Sequence, residues 1–457
     1  MKSRTERRRF LELIWCSCLL LVMCYYRVVV GEGPNMDNNF RCLSQNWNNL
    51  TCTWKPKHTY LDTTYNLTYT LPGRSGRPVA FNCNNMAVEK DTGTYSCFWN
   101  LYTTPHYRQS TPYFHFMLTA FNKLSEPVTQ SFHIDHYARV RPGQPTDLKV
   151  ENKTPHSALL SWSIPDFMHF FPPGVLHRVI YSNEVDGDGV WSVSDVSSLP
   201  LHNSSYVLNV TGLVYAYCHY TVRVSIRSNK AYEEDMWSDY TSITFRTSEE
   251  PPKRPPDMHE SGFESVANLT HRSIFLYWQQ ILSHEENGDN FTYNVGVYMD
   301  GMKLNVVPFK WTKSYIRFKG LPLRPLEFVI SSANNVGESP LKSRLIVPWQ
   351  NQLLPKPLSF TKMYLGSDTY ELTWLHPVVN MSSISDYTFF WCDSSRDRPF
   401  QCDGRLQWER VPANLTAHNF TVTEDKIYQF AVSANGYGTS SGMVWASCTI
   451  LPKDIEI

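Results

Sequence analysis

The sequence predicts an elongated all-β protein, a tandem array of four antiparallel β-sandwiches. A strand that carries a tryptophan recurs four times, at Trp54, Trp162, Trp278 and Trp374. Successive tryptophans are about 100 residues apart, which is the length of one sandwich. Aromatic residues make up 14% of the 457 residues, and no long window has the periodicity of a helix.

Proline-rich segments separate the four repeats. They lie at 139–145, 249–256 and 347–357, and such segments extend and stiffen a chain. A single core rarely exceeds roughly 250–300 residues, so the length also requires several domains. We therefore expect a signal peptide followed by four domains, with boundaries at 1–33, 34–138, 139–249, 250–349 and 350–457.

The N-terminus has the pattern of a secretory signal. The basic residues of Met1–Arg9 precede the mostly apolar run Phe10–Tyr26, and Gly31 or Gly33 suits cleavage. An uncleaved anchor is the alternative, although about 17 residues interrupted by Glu12 are short for a span. No later apolar stretch is long enough to cross a membrane as a helix. We therefore expect a secreted or cell-surface extracellular chain with the signal peptide removed.

Ten Asn-x-Ser/Thr sequons after the signal predict a glycosylated chain in an oxidising compartment. The sequon asparagines are Asn49, Asn66, Asn152, Asn203, Asn209, Asn268, Asn290, Asn380, Asn414 and Asn419. One sequon means little, but ten of them behind a signal peptide argue for secretion.

Eight cysteines remain once the signal is removed, and paired cysteines are the default outside the cell. The four cysteines of the first repeat allow three connectivities, of which local pairs suit adjacent antiparallel strands. We expect three local disulfides, Cys42–Cys52, Cys83–Cys97 and Cys392–Cys402. Cys218 and Cys448 lie in different repeats and are left unassigned. Since there is no Cys-x-x-Cys and no clustered histidine, we expect no metal site and no cofactor.

An uncommon run, Trp237-Ser238-Asp239-Tyr240-Thr241, lies just before a predicted strand. Upstream, the stretch from Tyr220 to Arg227 alternates strictly between apolar and polar residues, which predicts a half-buried strand. Its outward face carries Arg223 and Arg227, and a guanidinium stacks well on an aromatic ring. We expect Trp237, Arg223, Tyr240 and Arg227 to interleave as a ladder on the sheet surface. The alternative is a turn with an exposed tryptophan.

This run resembles the Trp-Ser-x-Trp-Ser signature of class I cytokine receptors, with Tyr240 and Thr241 in place of the second Trp and Ser. The four-cysteine repeat followed by this run is similar to a cytokine-receptor homology module, and each repeat resembles a fibronectin type III module. Residues 36–452 resemble four consecutive domains of the glycoprotein 130 (interleukin-6-type) family, and most of all its insect receptors. The resemblance implies a non-enzymatic extracellular region that acts in JAK/STAT-type signalling. It implies as partners a helical cytokine ligand, gripped at the elbow between the first two sandwiches, and a second receptor chain.

Three predicted loops near that elbow carry aromatic and charged residues that are typical interface anchors. The loops are 101–112, 166–172 and 229–235. The candidate ligand-binding residues are Tyr102, Tyr107, Arg108, Phe167, Phe170, Phe171, Tyr232 and Glu233. Three phenylalanines in one loop are costly to leave in water, so the alternative is that they pack against the neighbouring domain.

Other functions fit less well. A cell-adhesion or matrix protein could be built from the same modules, although adhesion modules usually lack the cysteine pattern and the Trp-Ser run. A secreted decoy receptor is a further alternative, because the family's N-terminal immunoglobulin domain, membrane helix and cytoplasmic tail find no counterpart here. Gly438–Gly442 fits Gly-x-Ser-x-Gly but lies in a predicted hairpin rather than a strand-to-helix turn. The formal charge is zero, so no global field favours nucleic acid.

Overall fold

The computed structural model describes most of the chain after the N-terminal segment. The described residues are 39–56, 63–72, 78–123, 126–187, 189, 191–196, 201–202, 205–378, 383–394, 402–422, 426–446 and 449–450. The predicted signal peptide, Asn203, Asn380 and Cys448 lie outside them.

Nine strands belong to the first sandwich, and they form two sheets of order β4-β3-β7-β8 and β5-β6-β2-β1-β9. The strands are β1 (Arg41–Gln45), β2 (Asn49–Trp54), β3 (Thr64–Pro72), β4 (Pro78–Asn82), β5 (Met86–Glu89), β6 (Thr94–Asn100), β7 (Tyr113–Phe121), β8 (Val128–Asp135) and β9 (Val140–Arg141). The last of them, β9, lies in the segment that leads to the second sandwich. It pairs in parallel with β1, so the connection is held by backbone hydrogen bonds.

The second sandwich has sheets of order β10-β11-β15-β14 and β13-β12-β16-β17. Its strands are β10 (Thr146–Lys153), β11 (Ser157–Ser163), β12 (Val175–Asn183), β13 (Ser192–Val196), β14 (Leu201–His202), β15 (Ser205–Thr211), β16 (His219–Ser228) and β17 (Thr241–Arg246). A four-residue helical turn, α1 (Asp166–His169), connects β11 to β12. This strand order is that of a fibronectin type III sandwich.

The third sandwich repeats this plan, with sheets of order β18-β19-β23-β22 and β21-β20-β24-β25. Its strands are β18 (Phe263–Ala267), β19 (Arg272–Tyr277), β20 (Thr292–Met299), β21 (Met302–Leu304), β22 (Lys310–Trp311), β23 (Tyr315–Leu321), β24 (Leu326–Ala333) and β25 (Ser343–Val347).

The fourth sandwich has sheets of order β30-β27-β26-β34 and β29-β28-β31-β32, and β33 also pairs with β31. Its strands are β26 (Leu358–Gly366), β27 (Thr369–Leu375), β28 (Asp386–Ser394), β29 (Gln407–Pro412), β30 (Ala417–Thr421), β31 (Ile427–Gly436), β32 (Thr439–Ser440), β33 (Val444–Trp445) and β34 (Thr449–Ile450). Among the described residues, four short 3-10 helices lie in loops, at Tyr137–Arg139, Glu234–Met236, Ser283–Glu285 and Gln350–Gln352.

The recurring tryptophan lies in the core of every sandwich, so the predicted all-β array of four fibronectin type III-like sandwiches is confirmed. Trp54, Trp162, Trp278 and Trp374 are each at most 2% exposed. A buried indole of this size fills the space between two sheets that are about 10 Å apart.

Contacts divide the chain into two compact units. One unit holds the first sandwich and most of the second. The other holds the third and fourth sandwiches with residues 153–157 and 211–218. Within this second unit, the third and fourth sandwiches share a buried apolar cluster that includes Tyr277, Tyr315 and Trp445.

Candidate functional site

Stacked guanidinium groups and aromatic rings cover the outer face of the β13-β12-β16-β17 sheet. Strict alternation along β16 buries Tyr220, Val222, Val224 and Ile226 and turns the arginines outward. Arg223 lies 4.5 Å from the Tyr240 ring centroid, and Arg227 lies 4.6 Å from that of Trp237. Trp237 itself is only 7% exposed, so it is not the surface tryptophan of the alternative interpretation.

Two further side chains extend this stack, and sequence reasoning missed both. Arg178 on β12 lies 4.1 Å from the Trp237 centroid, and Arg223 lies 4.2 Å from the centroid of Trp191. Alternation along β12 could have shown that Arg178 faces outward. Only the pairing of β12 with β16, in which Arg178 faces Ser225, places it beside Trp237.

Ser238 fixes the tryptophan backbone to β16. The Ser238 amide donates to the Ile226 carbonyl (2.9 Å), and the Ile226 amide donates to Ser238 Oγ (3.0 Å). The hydroxyl then donates to the Asp239 carbonyl at 2.7 Å. The serine hydroxyl therefore supplies an acceptor that the backbone lacks here, which explains why a serine follows the tryptophan.

An aromatic cluster fills the joint between the first two sandwiches. Trp47, in the β1–β2 turn, packs edge-on against Phe171 at 5.6 Å, and Tyr137 packs against the same phenylalanine at 5.4 Å. The Trp47 indole donates to the Gln109 carbonyl at 2.8 Å. Phe171 is 4% exposed, so this residue follows the alternative interpretation of its loop and packs against the neighbouring sandwich.

Charged residues join the two sandwiches at the edge of that cluster. Arg139 pairs with Glu233 at 2.6 Å, and Arg41 pairs with both Asp235 and Glu233. The hydrogen bond from Arg41 holds the pKa of the Asp235 carboxyl below its usual range. Glu233, a candidate ligand contact, therefore already has two cationic partners across the joint.

The connecting segment also holds the Trp-Ser run directly. Arg141 Nε donates to the Trp237 carbonyl at 2.9 Å, and its terminal nitrogen lies 3.0 Å from Asp239 Oδ1. Arg141 and Trp237 line a cleft of about 640 Å³ together with Arg41 and Ser238. The run therefore contacts both its own sheet and the chain that enters the second sandwich.

A buried hydrogen-bond chain lies on the first-sandwich side of the joint. His136 Nδ1 is 2.6 Å from the Thr111 carbonyl, so Nδ1 carries the proton and Nε2 accepts from the Tyr107 hydroxyl. Ser44 Oγ in turn donates to Tyr107 at 2.7 Å. Burial lowers the pKa of His136 to about 4 and raises that of Tyr107. Tyr107, another candidate ligand contact, is thus part of the framework.

The remaining candidate ligand contacts lie at the surface. Tyr102, Phe170 and Tyr232 are 89%, 81% and 87% exposed, and Phe167 is 40% exposed. Arg108 is exposed and lies 5.7 Å from the ring centroid of Phe81. The structure therefore divides the eight candidates into five surface side chains and three that are engaged at the joint.

The described part of the chain contains three disulfides, Cys42–Cys52, Cys83–Cys97 and Cys392–Cys402, which are the local pairs named above. Cys218 is buried, and its amide donates to Thr247 Oγ1. Eight sequon asparagines lie among the described residues. Asn49 and Asn66 are partly buried there, and the six that are exposed are Asn152, Asn209, Asn268, Asn290, Asn414 and Asn419.

The described ranges contain no helix that is long and apolar enough to span a membrane. In the same ranges, no group of three or more His, Cys, Asp or Glu side chains is arranged to hold a metal ion.

Comparisons with known proteins point to cytokine receptors. Residues 33–136 match the model of the leukemia inhibitory factor receptor D4 domain. A Drosophila melanogaster cytokine receptor is 26% identical over 459 residues, which cover 96% of this chain and 34% of that protein. The human leukemia inhibitory factor receptor is 24% identical over 400 residues, which cover 85% of this chain and 32% of that receptor. Mouse contactin-6 is 26% identical over 317 residues, 67% of this chain and 29% of that protein.

The chain spans about a third of the length of the curated receptors it matches. The similarity reaches across most of this chain and includes several receptors. The resemblance found in the sequence is thus confirmed, because the chain is similar over most of its length to class I cytokine receptors of the glycoprotein 130 and leukemia inhibitory factor receptor family, which is a non-enzymatic family.

Proposed function

We propose that this chain is the extracellular cytokine-binding region of a receptor that acts in JAK/STAT-type signalling. Residues 34–138 and 139–249 grip a helical cytokine at their elbow, and 250–349 and 350–457 are fibronectin type III domains behind it. A second receptor chain is brought close by the same ligand. The similarity to cytokine receptors over most of the chain supports the class of function.

One observation supports this location for the ligand-binding site. Exposed aromatic side chains lie on loops around a joint that is rigidly filled beneath them. The loops that hold Phe170 and Tyr232 are neighbours, because the Asn229 amide donates to the Gly174 carbonyl at 3.1 Å. Large aromatic side chains with little conformational freedom are the commonest energetic anchors of protein interfaces.

The buried candidates act in this proposal by holding those loops. Phe171 lies one residue after Phe170 and is locked between Trp47 and Tyr137. Tyr107 likewise fixes the loop that carries Tyr102 and Arg108. A loop that is already ordered loses little entropy on binding, so its exposed ring contributes more affinity.

Replacing Phe170 and Tyr232 together by alanine tests the site. We expect the affinity for the helical cytokine to fall by roughly 2 kcal/mol, or about 30-fold, as for other aromatic anchors. Tyr437→Ala is the matched control, because Tyr437 is a fully exposed tyrosine in the fourth sandwich. Unchanged affinity in a folded double variant would remove these loops from the site.

Adhesion is the second candidate function, and the similarity to contactin-6 over 67% of the chain favours it. Beads coated with the secreted chain distinguish the two functions. An adhesion protein that binds itself clusters the beads without any cytokine. A receptor ectodomain leaves them dispersed and captures a helical cytokine from solution.

A further inference from the structure

A strongly basic segment lies in the third sandwich, although the whole chain has no net charge. Residues 301–326 contain no aspartate or glutamate and six cationic residues, Lys303, Lys310, Lys313, Arg317, Lys319 and Arg324. Such a concentration of one sign produces a local positive field that a neutral chain does not otherwise have.

Acidic neighbours neutralise only two of these six charges among the described residues. Lys313 pairs with Glu286 at 3.2 Å, and Arg324 pairs with Asp300 at 2.9 Å. Glu264 is close enough for Arg317 to affect its pKa, but this carboxylate pairs with Lys356 at 3.6 Å. The other four cations have no carboxylate within 4 Å in the described part of the chain.

Three of the unpaired cations lie together on one face of the β18-β19-β23-β22 sheet. Lys310 on β22 is directly opposite Arg317 on β23. Lys319 follows Arg317 by two residues, so both point to the same side, about 7 Å apart along the strand. Phe309 connects them, because its ring centroid lies 3.2 Å from Lys319 Nζ and 5.3 Å from the Arg317 guanidinium.

Exposed aromatic surface borders these charges. Phe309, whose ring contacts Lys319 and Arg317, is 59% exposed. Trp311 follows Lys310 on β22, so it points to the opposite side of the strand, where it lies across from the buried Ile316 and lines a cleft of about 440 Å³ with Lys303. The fourth unpaired cation, Lys303, therefore lies outside the group formed by the other three. We call Lys310, Arg317 and Lys319, with Phe309, the basic face.

We propose that the basic face binds a sulfated polysaccharide. Cations repeated along and across neighbouring strands match a linear polymer with anionic groups at regular intervals, and clustered Lys and Arg form such sites. The exposed ring of Phe309 offers flat apolar surface to the C–H groups of a sugar ring. An acidic protein would need carboxylates matched to each lysine, but a flexible polyanion needs only charge density.

The proposal is tested on the full secreted chain with immobilised heparin as the probe. The test variant replaces Lys310 and Lys319 by alanine, and it retains Arg317, which is packed between Phe275 and Phe309. We expect at least tenfold weaker binding at 0.15 M NaCl. We also expect a shallower dependence of the logarithm of the affinity on the logarithm of the salt concentration, by roughly one to two units in slope.

The control variant replaces Lys90 and Lys149, which are exposed lysines of the first two sandwiches. Equal weakening in this control would show diffuse charge rather than a site and would overturn the proposal. Polyglutamate is the second probe. If it binds as tightly as heparin and loses as much affinity in the test variant, the face recognises acidic protein instead. The single variant Lys310→Gln repeats the test if the double variant does not fold.

Discussion

The Arg178 guanidinium lies 4.1 Å from the ring centroid of Trp237, although 59 positions separate the two residues. Both terminal nitrogens of Arg178 also reach the Glu234 carboxylate, at 2.7 and 3.4 Å. This hydrogen bonding holds the pKa of Glu234 below its usual range. Arg178 therefore ties β12 to the Trp-Ser run from one side, while Arg227 holds the same ring from β16.

Arg178→Ala should lower the free energy of unfolding by about 1 kcal/mol, because it removes one cation–π contact that is largely shielded from water. Thermal unfolding of the secreted chain measures the loss. Arg344→Ala is the control, since Arg344 makes an exposed ion pair with Glu327 and such pairs contribute little. Equal shifts in melting temperature for the two variants would mean that the stack adds nothing specific.

Substitution of Phe171 should lower the stability of the chain much more than substitution of its neighbour Phe170. Phe171→Ala removes a buried ring between Trp47 and Tyr137 and should destabilise the chain by roughly 3–5 kcal/mol. Phe170→Ala removes an exposed ring and should change stability by less than about 0.5 kcal/mol. Denaturant unfolding of the two single variants compares them. Equal losses would contradict the different positions of these two rings.

Alternation and repetition were sufficient to predict the fold from the sequence. The periodic tryptophans identified the four cores, and the two-residue period of β16 identified which arginines face outward. Both signals are local, because each depends on residues a few positions apart. The local cysteine pairs have the same origin, since Cys42 and Cys52 lie directly opposite each other on β1 and β2.

The parts of the candidate site that were missed depend on contacts between distant segments. Whether a loop phenylalanine faces water or a neighbour is decided by residues such as Trp47, over 100 positions away. Glu233 was a candidate ligand contact because the sequence does not show that Arg41 and Arg139 reach it from the other sandwich. Composition gives the types of residue in a loop, but the joint between the sandwiches decides which of them are exposed.

Acid should destabilise the chain through His136. Burial lowers the pKa of this histidine from an ordinary 6.5 to about 4. The unfolded chain then takes up a proton more readily than the folded one. This contribution to stability is complete above pH 6.5 and is lost as the pH falls toward 4, with a limit of roughly 3 kcal/mol. His177 and His259 have pKa values lowered to about 4 by burial and act in the same direction.

His136→Gln removes one of these three groups, so the variant should lose less stability than the wild type between pH 7 and pH 4.5. Chemical denaturation at the two pH values gives the difference. The variant is expected to be less stable at pH 7, because glutamine cannot satisfy both Thr111 and Tyr107 in the same geometry. An unchanged pH dependence would show that His136 is already protonated in the folded chain or does not take up a proton on unfolding.

The Cys392–Cys402 disulfide should control how firmly the fourth sandwich is held against the third. It anchors the segment from which Arg405 donates to the Gln280 carbonyl and to Gln279 Oε1, both at 2.9 Å. Replacing both cysteines by serine frees a ten-residue loop and should cost roughly 3 kcal/mol in the chain-entropy model. Hydrogen exchange at residues 279–281 should then become faster, because the segment loses the contacts from Arg405 that hold it, although its amides still donate to Asp257 and Tyr293. Removing Cys83–Cys97 instead should destabilise the first sandwich and leave exchange at 279–281 unchanged, and equal acceleration in both variants would contradict a local anchor.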